Sequence, residues 1–296
     1  MRLGYIGLGK MGLNMVERLR GRGYEISVYD RSPELTQEAV RFGASASFSL
    51  VGMAAQLTAP RLIWLMVPHA VVDEVLNELS PHLQANDAII DGGNSFYKDS
   101  VRRARELEKK GIDFLDVGVS GGPSGARTGA CVMVGGKEET FKKFESLFKD
   151  IAAENAYAYV GKAGAGHFVK MAHNGIEYGM MQALAEGFGL LKKSDFQLDL
   201  KKVADLYNHR SVIESRLVGW LEGAYEKYGI ELESISGAVG HTGEGEWTVK
   251  IANELGVPVP IIEGAFQFRV QSNDKPTYTG KVLSALRNMF GGHAVK

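Results

Sequence analysis

The sequence predicts an α/β fold in which an N-terminal doubly wound sheet is followed by an all-helical C-terminal domain. Short apolar runs alternate with helical patterns along the first half of the chain, which is typical of strands and crossover helices in a parallel sheet. A glycine-rich turn directly follows the first apolar run, and the strand pattern almost disappears after Gly166. We therefore expect a boundary near residues 160–166, with a first domain over 1–163 and a second over 164–296.

Seven apolar runs have the length and composition of buried strands. The predicted strands are Arg2–Ile6, Glu25–Tyr29, Leu62–Val67, Ala88–Asp91, Asp113–Val117, Cys131–Val134 and Ala156–Tyr159. In the second domain, helical patterns extend to about Leu191, from about Leu200 to Tyr228, and from Trp247 to Leu255. The core of that domain is expected to include Leu184, Leu190, Leu206, Ile213 and Trp220.

The composition is that of a globular protein without a strong overall charge. The 296 residues carry a net charge of −1, so no basic field is expected to attract nucleic acid or an anionic membrane. The chain begins with a strand pattern, and no apolar run approaches the roughly 18 residues that span a bilayer. A cytoplasmic location is therefore expected. The single cysteine, Cys131, lies in an apolar run and is expected to be a buried strand residue rather than a nucleophile.

The glycine-rich turn is Gly7-Leu8-Gly9-Lys10-Met11-Gly12, between the first strand and a helical pattern. Glycines at these positions permit a tight turn and close approach to a pyrophosphate, so the pattern predicts a Rossmann dinucleotide-binding domain. The second strand is followed by Asp30, which suits the ribose hydroxyls of NAD and would repel a 2′-phosphate. Arg31 and Ser32 follow it and would suit that phosphate, so NAD is preferred and NADP is possible.

Two residues at the end of the third predicted strand are also candidates for cofactor contact. Val67 and Pro68 end a strand at the carboxyl edge of the sheet, where open α/β sheets bind ligands. Simple termination of the strand explains this dipeptide nearly as well.

A helix with reactive groups on one face is predicted over residues 164–182. Lys170, Asn174 and Glu177 stand at i, i+4 and i+7, which spans roughly 10 Å along a helix axis. Lysine can serve as base or acid, glutamic acid as a second proton donor, and asparagine can orient a hydroxyl. A solvated amphipathic helix is the alternative. Gly175 and Gly179 disfavour it, because glycine inside a helix suggests close approach of a ligand or another backbone.

Together with this helix, the loops 91–95 (Asp-Gly-Gly-Asn-Ser) and 118–122 (Gly-Val-Ser-Gly-Gly) closely resemble 6-phosphogluconate dehydrogenases. The resemblance covers nearly the whole chain and is to the short form of that family, within the β-hydroxyacid dehydrogenase superfamily. The run His-Asn-Gly-Ile-Glu-Tyr-Gly from His173 is the discriminating piece, since the Ser-Gly-Gly loop and the helix lysine are shared across the superfamily.

The resemblance implies an enzyme of the pentose phosphate pathway. The implied reaction oxidises the C3 hydroxyl of 6-phosphogluconate with a nicotinamide, releases carbon dioxide and protonates the enediol to ribulose 5-phosphate. Lys170 would be the base and then the acid, and Glu177 the final acid. A cationic lysine is enough to polarise a β-keto acid, so no metal is expected. Residues implied to hold the substrate are Asn94, which would also lie near the nicotinamide, and Ser120, Gly121, Gly122, His173 and Asn174.

The family pattern also implies a phosphate site formed by Tyr178, Arg269, Arg287 and His293. In that pattern the last two belong to a tail that reaches a neighbouring subunit, so a homodimer or homotetramer with a shared active site is expected. One departure stands out, because long-form members carry a lysine and a threonine where this chain has Thr242 and Glu244. Glu244 would face solvent, contact a sugar hydroxyl, or mark a substrate that is not phosphorylated in the usual way.

Further alternatives remain at the level of sequence. Lys275 is a conceivable replacement for the missing cation, and a metal held by His241, Glu244 and Glu246 is strongly disfavoured on a glycine-rich loop. A 3-hydroxyisobutyrate-type dehydrogenase would share the fold, the cofactor turn and the lysine but would not need Glu177. A non-enzymatic NAD-sensing protein would need only the Rossmann half.

Overall fold

The computed structural model describes residues 1–241 and 243–295 of the chain. Thr242, one of the two departures at the expected phosphate site, lies outside the described residues. The chain divides into two compact units, Met1–Lys170 and Met171–Lys296. The predicted domain division at residues 163 and 164 stays a prediction.

The first unit contains one eight-stranded sheet. Its strands are β1 (Arg2–Ile6), β2 (Glu25–Tyr29), β3 (Ser45–Ala46), β4 (Leu62–Leu65), β5 (Ala88–Asp91), β6 (Asp113–Ser120), β7 (Ala130–Gly136) and β8 (Ala152–Gly161). Their order is β3-β2-β1-β4-β5-β6-β7-β8, and every neighbouring pair is parallel except β6 with β7. The predicted doubly wound sheet is confirmed. The two-residue β3 was missed because it is too short to show a hydrophobic period.

Helices cover both faces of this sheet. They are α1 (Lys10–Gly21), α2 (Pro33–Arg41), α3 (Leu50–Gln56), α4 (Val72–Leu79), α5 (Tyr97–Glu108), α6 (Gly122–Thr128) and α7 (Glu138–Ile151), with 3₁₀ turns at His69–Val71 and Ser80–His82. Alternate residues of β4 enter two cores: Leu62 and Trp64 pack with α1, α6 and α7, whereas Ile63 and Leu65 pack with α3, α4 and α5. Burial on both faces explains why the central strands are continuous apolar runs.

The second unit is helical. Helix α8 (Ala165–Lys193) begins in the first unit and continues into the second, where α9 (Leu200–Tyr207), α10 (Arg216–Tyr228), α11 (Glu244–Leu255), α12 (Pro260–Gln271) and α13 (Tyr278–Gly291) follow. The predicted all-helical domain is confirmed. The core contains Met181 and Phe188 of α8, Leu221 of α10, and Val282 and Leu286 of α13.

Two details of the predicted helices were wrong. The pattern from Leu200 to Tyr228 is two helices, because Ser215 caps a new helix by accepting the backbone N–H of Val218. Helices α12 and α13 were not predicted. Their amino ends carry recognisable signals, Pro260 at the first turn of α12 and Thr277 accepting the N–H of Gly280 at the start of α13.

Several burial predictions were also wrong. Leu190 and Leu206 are 74% and 65% exposed, because each lies two positions, roughly 200° of helical rotation, from the buried Phe188 and Ala204. Ile213 is 49% exposed in the segment between α9 and α10. Leu184 and Trp220 do pack against the core.

Cys131 is an exposed residue of β7, not a buried one. Its neighbours Ala130 and Val132 are buried, and successive strand side chains point to opposite faces of a sheet.

Among the described residues, no helix is both long and apolar enough to cross a membrane.

Candidate functional site

The glycine turn has the shape needed for close approach of an anion. Gly7 has a φ of +94°, and a Cβ built there would lie 2.4 Å from the Met66 carbonyl oxygen. A Cβ on Gly12 would lie 2.0 Å from the carbonyl oxygen of Gly7. By contrast, a Cβ on Gly9 would meet nothing within 4 Å, and Gly9 leaves the amino end of α1 without a side-chain cap. The turn therefore fits a dinucleotide pyrophosphate at the helix end.

The rest of this turn is fixed by Asp30. The Asp30 carboxylate accepts the backbone N–H of Leu8 at 2.6 Å and that of Ser32 at 2.8 Å. Leu8 is fully buried, whereas Lys10 is exposed and Met11 is half-buried in the first turn of α1. Asp30 therefore links the glycine turn to the end of β2, where a ribose would lie beside the pyrophosphate.

Glu34 is a residue near the ribose position that sequence analysis missed. The Ser32 hydroxyl donates to its carboxylate at 2.6 Å, and this hydrogen bond lowers the pKa of Glu34. Ser32 also accepts the N–H of Leu35 as the cap of α2, while Arg31 is exposed. The Ser-Pro-Glu run was the available signal, because acidic residues favour the first turn of a helix.

Four predicted cofactor or substrate segments follow neighbouring parallel strands. Gly7 follows β1, Asp30 follows β2, Val67 lies two residues beyond β4, and Asn94 lies three beyond β5. Carboxyl ends of parallel strands meet at one edge of a sheet, and the strand order reverses between β1 and β4, where such folds bind ligands. Val67 is half-buried and Pro68 exposed, and β4 ends at Leu65, earlier than the predicted Val67.

A buried polar network supports the loop that carries Asn94. Asp91 is fully buried; its carboxylate accepts the N–H of Gly93 at 3.1 Å and the hydroxyl of Ser95 at 2.8 Å. Arg103 of α5 donates to Asp91 at 3.5 Å and, through Nε, to Asp73 at 2.8 Å. These bonds fix the backbone on both sides of the half-buried Asn94.

The Ser-Gly-Gly loop lies at the end of β6. Ser120 is the last residue of that strand, and Gly121 and Gly122 have φ values of +131° and +64°, which favour glycine. All three are half-buried. The chain thus turns sharply here and leaves this loop at the strand end.

Lys170 is held by close packing between α8 and β6. A Cβ built on Gly118 would lie 2.5 Å from the Cβ of Lys170, so only glycine fits at that strand position. The buried Asp116, on the same strand, accepts the backbone N–H of Gly164 at 2.7 Å and of His167 at 2.9 Å. The carboxylate thereby satisfies amino-terminal N–H groups of α8. Lys170 itself is half-buried.

His167 is a second buried group beside this helix end. Its Nδ1 lies 2.7 Å from the Ser100 hydroxyl, and its Nε2 has no hydrogen-bond partner among the residues that the structure describes. Neither His167 nor Asp116 was predicted, because their roles depend on contacts between elements distant in sequence.

In the second unit, α8 continues with the remaining predicted groups. His173 Nδ1 lies 3.0 Å from the Asn174 side-chain oxygen and 3.8 Å from the Glu177 carboxylate. Asn174 is buried and Glu177 half-buried, so the solvated-face alternative does not describe this segment. Gly175 is needed because a Cβ there would lie 2.6 Å from Thr248 of α11.

Three of the predicted phosphate residues, Tyr178, Arg269 and Arg287, are buried in this unit. The guanidinium carbon of Arg269 lies 3.3 Å from the centre of the Tyr178 ring, a cation–π contact. Burial lowers the pKa of Arg269 to about 10, and Tyr178 opposes that shift. Burial also lowers the pKa of Arg287, again opposed by Tyr178 and by Glu244.

Glu244 is only 8% exposed, so of its three alternatives the one in which it faces solvent is wrong. Lys275, considered as a replacement for the missing cation, is exposed and is not one of the buried charged residues. Within the described residues, no group of three or more His, Cys, Asp or Glu side chains could hold a metal ion.

His293 and Arg287 line one cavity of about 330 Å³ in the second unit. Arg287 belongs to α13, which packs into the core of its own unit, and the same chain supplies Tyr178 and Glu244 that act on its pKa. Arg287 therefore lies near Tyr178 and Glu244 of its own chain, and its contact with a neighbouring subunit stays a prediction. His293 is half-buried, and its backbone carbonyl accepts the Asn288 amide at 2.7 Å.

Family models match both halves of the chain. Residues 2–161 match the NAD binding domain of 6-phosphogluconate dehydrogenase, and residues 166–281 match the C-terminal domain of that enzyme. The chain belongs to the 6-phosphogluconate dehydrogenase family. The suspected resemblance is confirmed, and with it the class of NAD(P)-dependent dehydrogenases.

Two relatives match this family member over its full length. YqeC of Bacillus subtilis (strain 168), provisionally named a 6-phosphogluconate dehydrogenase, is 47% identical over 296 residues, which cover 100% of this chain and 99% of the relative. A Haloferax volcanii protein named 6-phosphogluconate dehydrogenase, NAD(+)-dependent, decarboxylating, is 39% identical over 297 residues, with 100% and 98% covered.

Solved structures give the same picture of the fold. Plasmodium falciparum 6-phosphogluconate dehydrogenase superposes with a TM-score of 0.77 at 28% identity, covering 97% of this chain and 70% of that chain. Mycobacterium tuberculosis 3-hydroxyisobutyrate dehydrogenase superposes with a TM-score of 0.76 at 21% identity, covering 97% and 99%. The second likeness shows a shared fold only.

Proposed function

We propose that the protein oxidises 6-phosphogluconate and decarboxylates the product to ribulose 5-phosphate and carbon dioxide, with hydride transfer to NAD(P). The observation that carries this proposal is the placement of Lys170, Asn174 and Glu177 at i, i+4 and i+7 of the continuous helix α8. These positions share a helix face over roughly 10 Å, which suits a base, an orienting amide and an acid along a short polyhydroxylated chain.

Lys170 serves the first two steps of this proposal. When bound, the nicotinamide supplies the acceptor for the hydride of substrate C3. Lys170 takes the proton of the C3 hydroxyl as that carbon becomes a ketone. The protonated lysine then donates to the ketone oxygen while the C1–C2 bond breaks and carbon dioxide leaves, which stabilises the developing enolate charge.

Glu177 serves the last step. It donates a proton to the carbon that lost carbon dioxide, while the enediol hydroxyl returns its proton to Lys170 and the ketone of the product forms. The position of His173 supports this role, because its Nδ1 lies 3.8 Å from the Glu177 carboxylate and 3.0 Å from the Asn174 side-chain oxygen and so places a polar group beside the carboxyl. A 3-hydroxyisobutyrate-type reaction has no use for such an acid.

The remaining predicted residues would position the substrate. Asn94 and the Ser120-Gly121-Gly122 loop would hold the carboxylate and hydroxyls, supported by the rigid backbone around each. His173 and Asn174 would orient hydroxyls. Arg269 and Arg287, with Tyr178 and His293, would receive the phosphate, because forked guanidinium donors match phosphate oxygens.

We propose NAD as the preferred cofactor and NADP as an accepted one. Asp30 and Glu34 place two carboxylates next to the ribose position, and the Ser32 hydroxyl is already donated to Glu34. Two negative charges disfavour a 2′-phosphate more than Arg31 favours it.

A homodimer or homotetramer also remains part of the proposal. Leu190 and Phe196 of the second unit are 74% and 81% exposed in the single chain, and a subunit interface would cover such side chains. With Arg287 buried in its own protomer, a shared site would use His293. Light scattering coupled to gel filtration, run alongside activity at the same dilution, tests this; a fully active monomer contradicts it.

One assay tests the reaction itself. Purified protein is incubated with NAD or NADP and with 6-phosphogluconate, gluconate or 3-hydroxyisobutyrate, following cofactor absorbance and carbon dioxide together. We expect equal amounts of reduced cofactor and carbon dioxide from 6-phosphogluconate. Cofactor reduction without carbon dioxide would indicate the 3-hydroxyisobutyrate-type alternative, and no reduction with any substrate would indicate the non-enzymatic one.

A further inference from the structure

Glu244 is a buried carboxylate among the charged groups of the second unit. It is 8% exposed and is the first residue of α11, after Gly243, which has a φ of +98°. Thr248 fixes its backbone, with Oγ1 2.8 Å from the Glu244 carbonyl oxygen and 2.9 Å from that of Met171. Glu244 is therefore anchored to α8 and is not a mobile loop residue.

The Tyr178 ring lies between the start of α11 and Arg269. A Cβ built on Gly245, the residue after Glu244, would lie 2.4 Å from the Tyr178 ring, so the α11 backbone packs directly on that ring. The Arg269 guanidinium stacks on the same ring at 3.3 Å. The amino end of α11, where Glu244 lies, and the buried Arg269 therefore pack against the same Tyr178 ring.

The buried charges of this cluster act on one another. Arg269 and Arg287 are 2% and 9% exposed; burial disfavours the charge of each guanidinium, and Arg287 also repels Arg269. Glu177 and Glu244 act in the opposite direction on both guanidinium groups. A buried carboxylate beside buried guanidinium groups offsets the cost of removing them from water. Two guanidinium groups therefore face two carboxylates, of which only Glu244 has no part in the proposed proton transfers.

A phosphate ester entering this cluster would meet Glu244 as well as the arginines. Its dianion gains from the guanidinium groups but is repelled by a carboxylate that burial keeps close and poorly screened. A hydroxyl carries no such penalty, because it can donate to Glu244 and accept from an arginine at the same time. The cluster consequently favours an uncharged chain end more than two arginines alone would.

We propose that Glu244 sets the substrate class of this subsite, weakening selection for a phosphate ester so that aldonates ending in a free hydroxyl are accepted beside phosphorylated ones. This rests on the proposed function, since it assumes that a 3-hydroxy aldonate is oxidised. The new element is that the selectivity for 6-phosphogluconate over gluconate is low and that the Glu244 carboxylate controls it.

The test compares kcat/KM for 6-phosphogluconate and gluconate in the wild-type protein, Glu244→Gln and Glu246→Gln. Glu246 is the matched control, an exposed glutamate in the same first turn of α11. We expect a wild-type ratio below about 100, and a rise of about tenfold or more in Glu244→Gln through a lower KM for 6-phosphogluconate. Glu246→Gln should keep the wild-type ratio.

Either of two results overturns the proposal: a wild-type ratio above about 10⁴, which needs no variant, or an unchanged ratio in folded Glu244→Gln. Inhibition of gluconate oxidation by inorganic phosphate gives a second readout, with a lower inhibition constant expected in Glu244→Gln. Failure of the proposed function is distinguishable, because then neither aldonate yields reduced cofactor and carbon dioxide at any ratio.

Discussion

The carboxylate of Asp116 accepts the backbone N–H of His167 at 2.9 Å, three residues before Lys170. It also accepts the N–H of Gly164, so one buried side chain of β6 binds the amino end of α8 at two points. A carboxylate can accept both bonds, and its charge opposes the positive end of the helix dipole. The position of Lys170 along α8 is consequently set by a residue of the sheet.

Replacing Asp116 with Asn should therefore impair catalysis through Lys170. The amide retains one acceptor oxygen and turns an NH₂ group toward the second N–H, so the first turn of α8 must shift. We expect kcat to fall about tenfold or more with little change in KM, because a misplaced base affects the chemical step more than binding.

A pH profile separates this role from a merely structural one. Removal of the buried charge next to the helix carrying Lys170 should displace the kcat profile to lower pH, since the cationic lysine loses a favourable interaction. Asp113→Asn, on the same strand but bonded to Lys137 and Thr140, is the control. An Asp116 variant with reduced stability and an unmoved profile would mean that Asp116 acts on folding alone.

Lys170→Ala and Glu177→Ala should fail at different steps. The lysine variant is expected to lose kcat/KM by about 10³ or more, because it lacks the base for oxidation. The glutamate variant should reduce cofactor and release carbon dioxide in a single turnover but form ribulose 5-phosphate slowly. Rapid mixing with absorbance detection distinguishes the two.

Lys193→Ala is the control for this pair, as an exposed lysine in the last turn of α8. It should behave like the wild-type protein. A wild-type rate in Lys170→Ala, or a slow first turnover in Glu177→Ala, would contradict the assigned order.

Gly118→Ala should show that the strand packs too closely on α8 to accept a methyl group. The added Cβ would lie 2.5 Å from that of Lys170 and 2.9 Å from the Gly166 carbonyl oxygen. Overpacking of this kind costs about 1–3 kcal/mol, and we expect both a lower Tm and lower kcat.

Gly187→Ala, in the helix α8 against which Gly118 packs, is the control, because a Cβ at residue 187 would meet nothing within 4 Å. Alanine in an open helical position should stabilise the protein by about 0.4–1 kcal/mol. Equal effects of the two substitutions on Tm would show that glycine at residue 118 is not required by packing.

The sequence predicted elements whose signal is local. The glycine turn, Asp30 and the α8 face each lie within one short segment, and the family resemblance joined them. The supporting residues were missed, since Asp116, His167 and Arg103 act on segments that only the folded sheet brings near.

Burial was the least predictable property. Glu244 stands in a glycine-rich, charged run that suggests solvent, yet it is buried because Gly245 allows α11 to pack on Tyr178. Leu190 and Leu206 were predicted to be buried but are exposed, because an apolar residue two positions from a core residue lies on the other side of its helix.

Glu34→Gln should relax cofactor selection. Removal of this charge leaves Ser32 and Arg31 available to a 2′-phosphate, so kcat/KM for NADP should rise about two- to fivefold relative to NAD at low salt. Glu38→Gln, an exposed glutamate on the same helix, should leave the ratio unchanged. An unchanged ratio in Glu34→Gln would leave Asp30 as the only carboxylate that disfavours NADP.

Asp73 should make part of the stability of the first unit depend on acid pH. The hydrogen bond from Arg103 lowers the pKa of Asp73, partly against burial, and Arg102 adds to it. Because folding favours the ionised carboxylate, the stabilisation is complete above the unfolded pKa of about 3.9 and is lost as the pH falls through the lower native pKa.

Urea midpoints of the wild-type protein and Asp73→Asn at pH 7 and near pH 3 measure this contribution. The Asp73 side chain is 46% exposed, so solvent screening should limit the difference to below about 1 kcal/mol at pH 7. The gap should narrow at the lower pH, because the wild-type carboxyl then starts to protonate. Glu154→Gln, which alters an exposed carboxylate of the same unit, is the control for a general effect of removing one negative charge. A difference in stability between the wild-type protein and Asp73→Asn that grows in acid would contradict the role of Arg103 in holding Asp73 ionised.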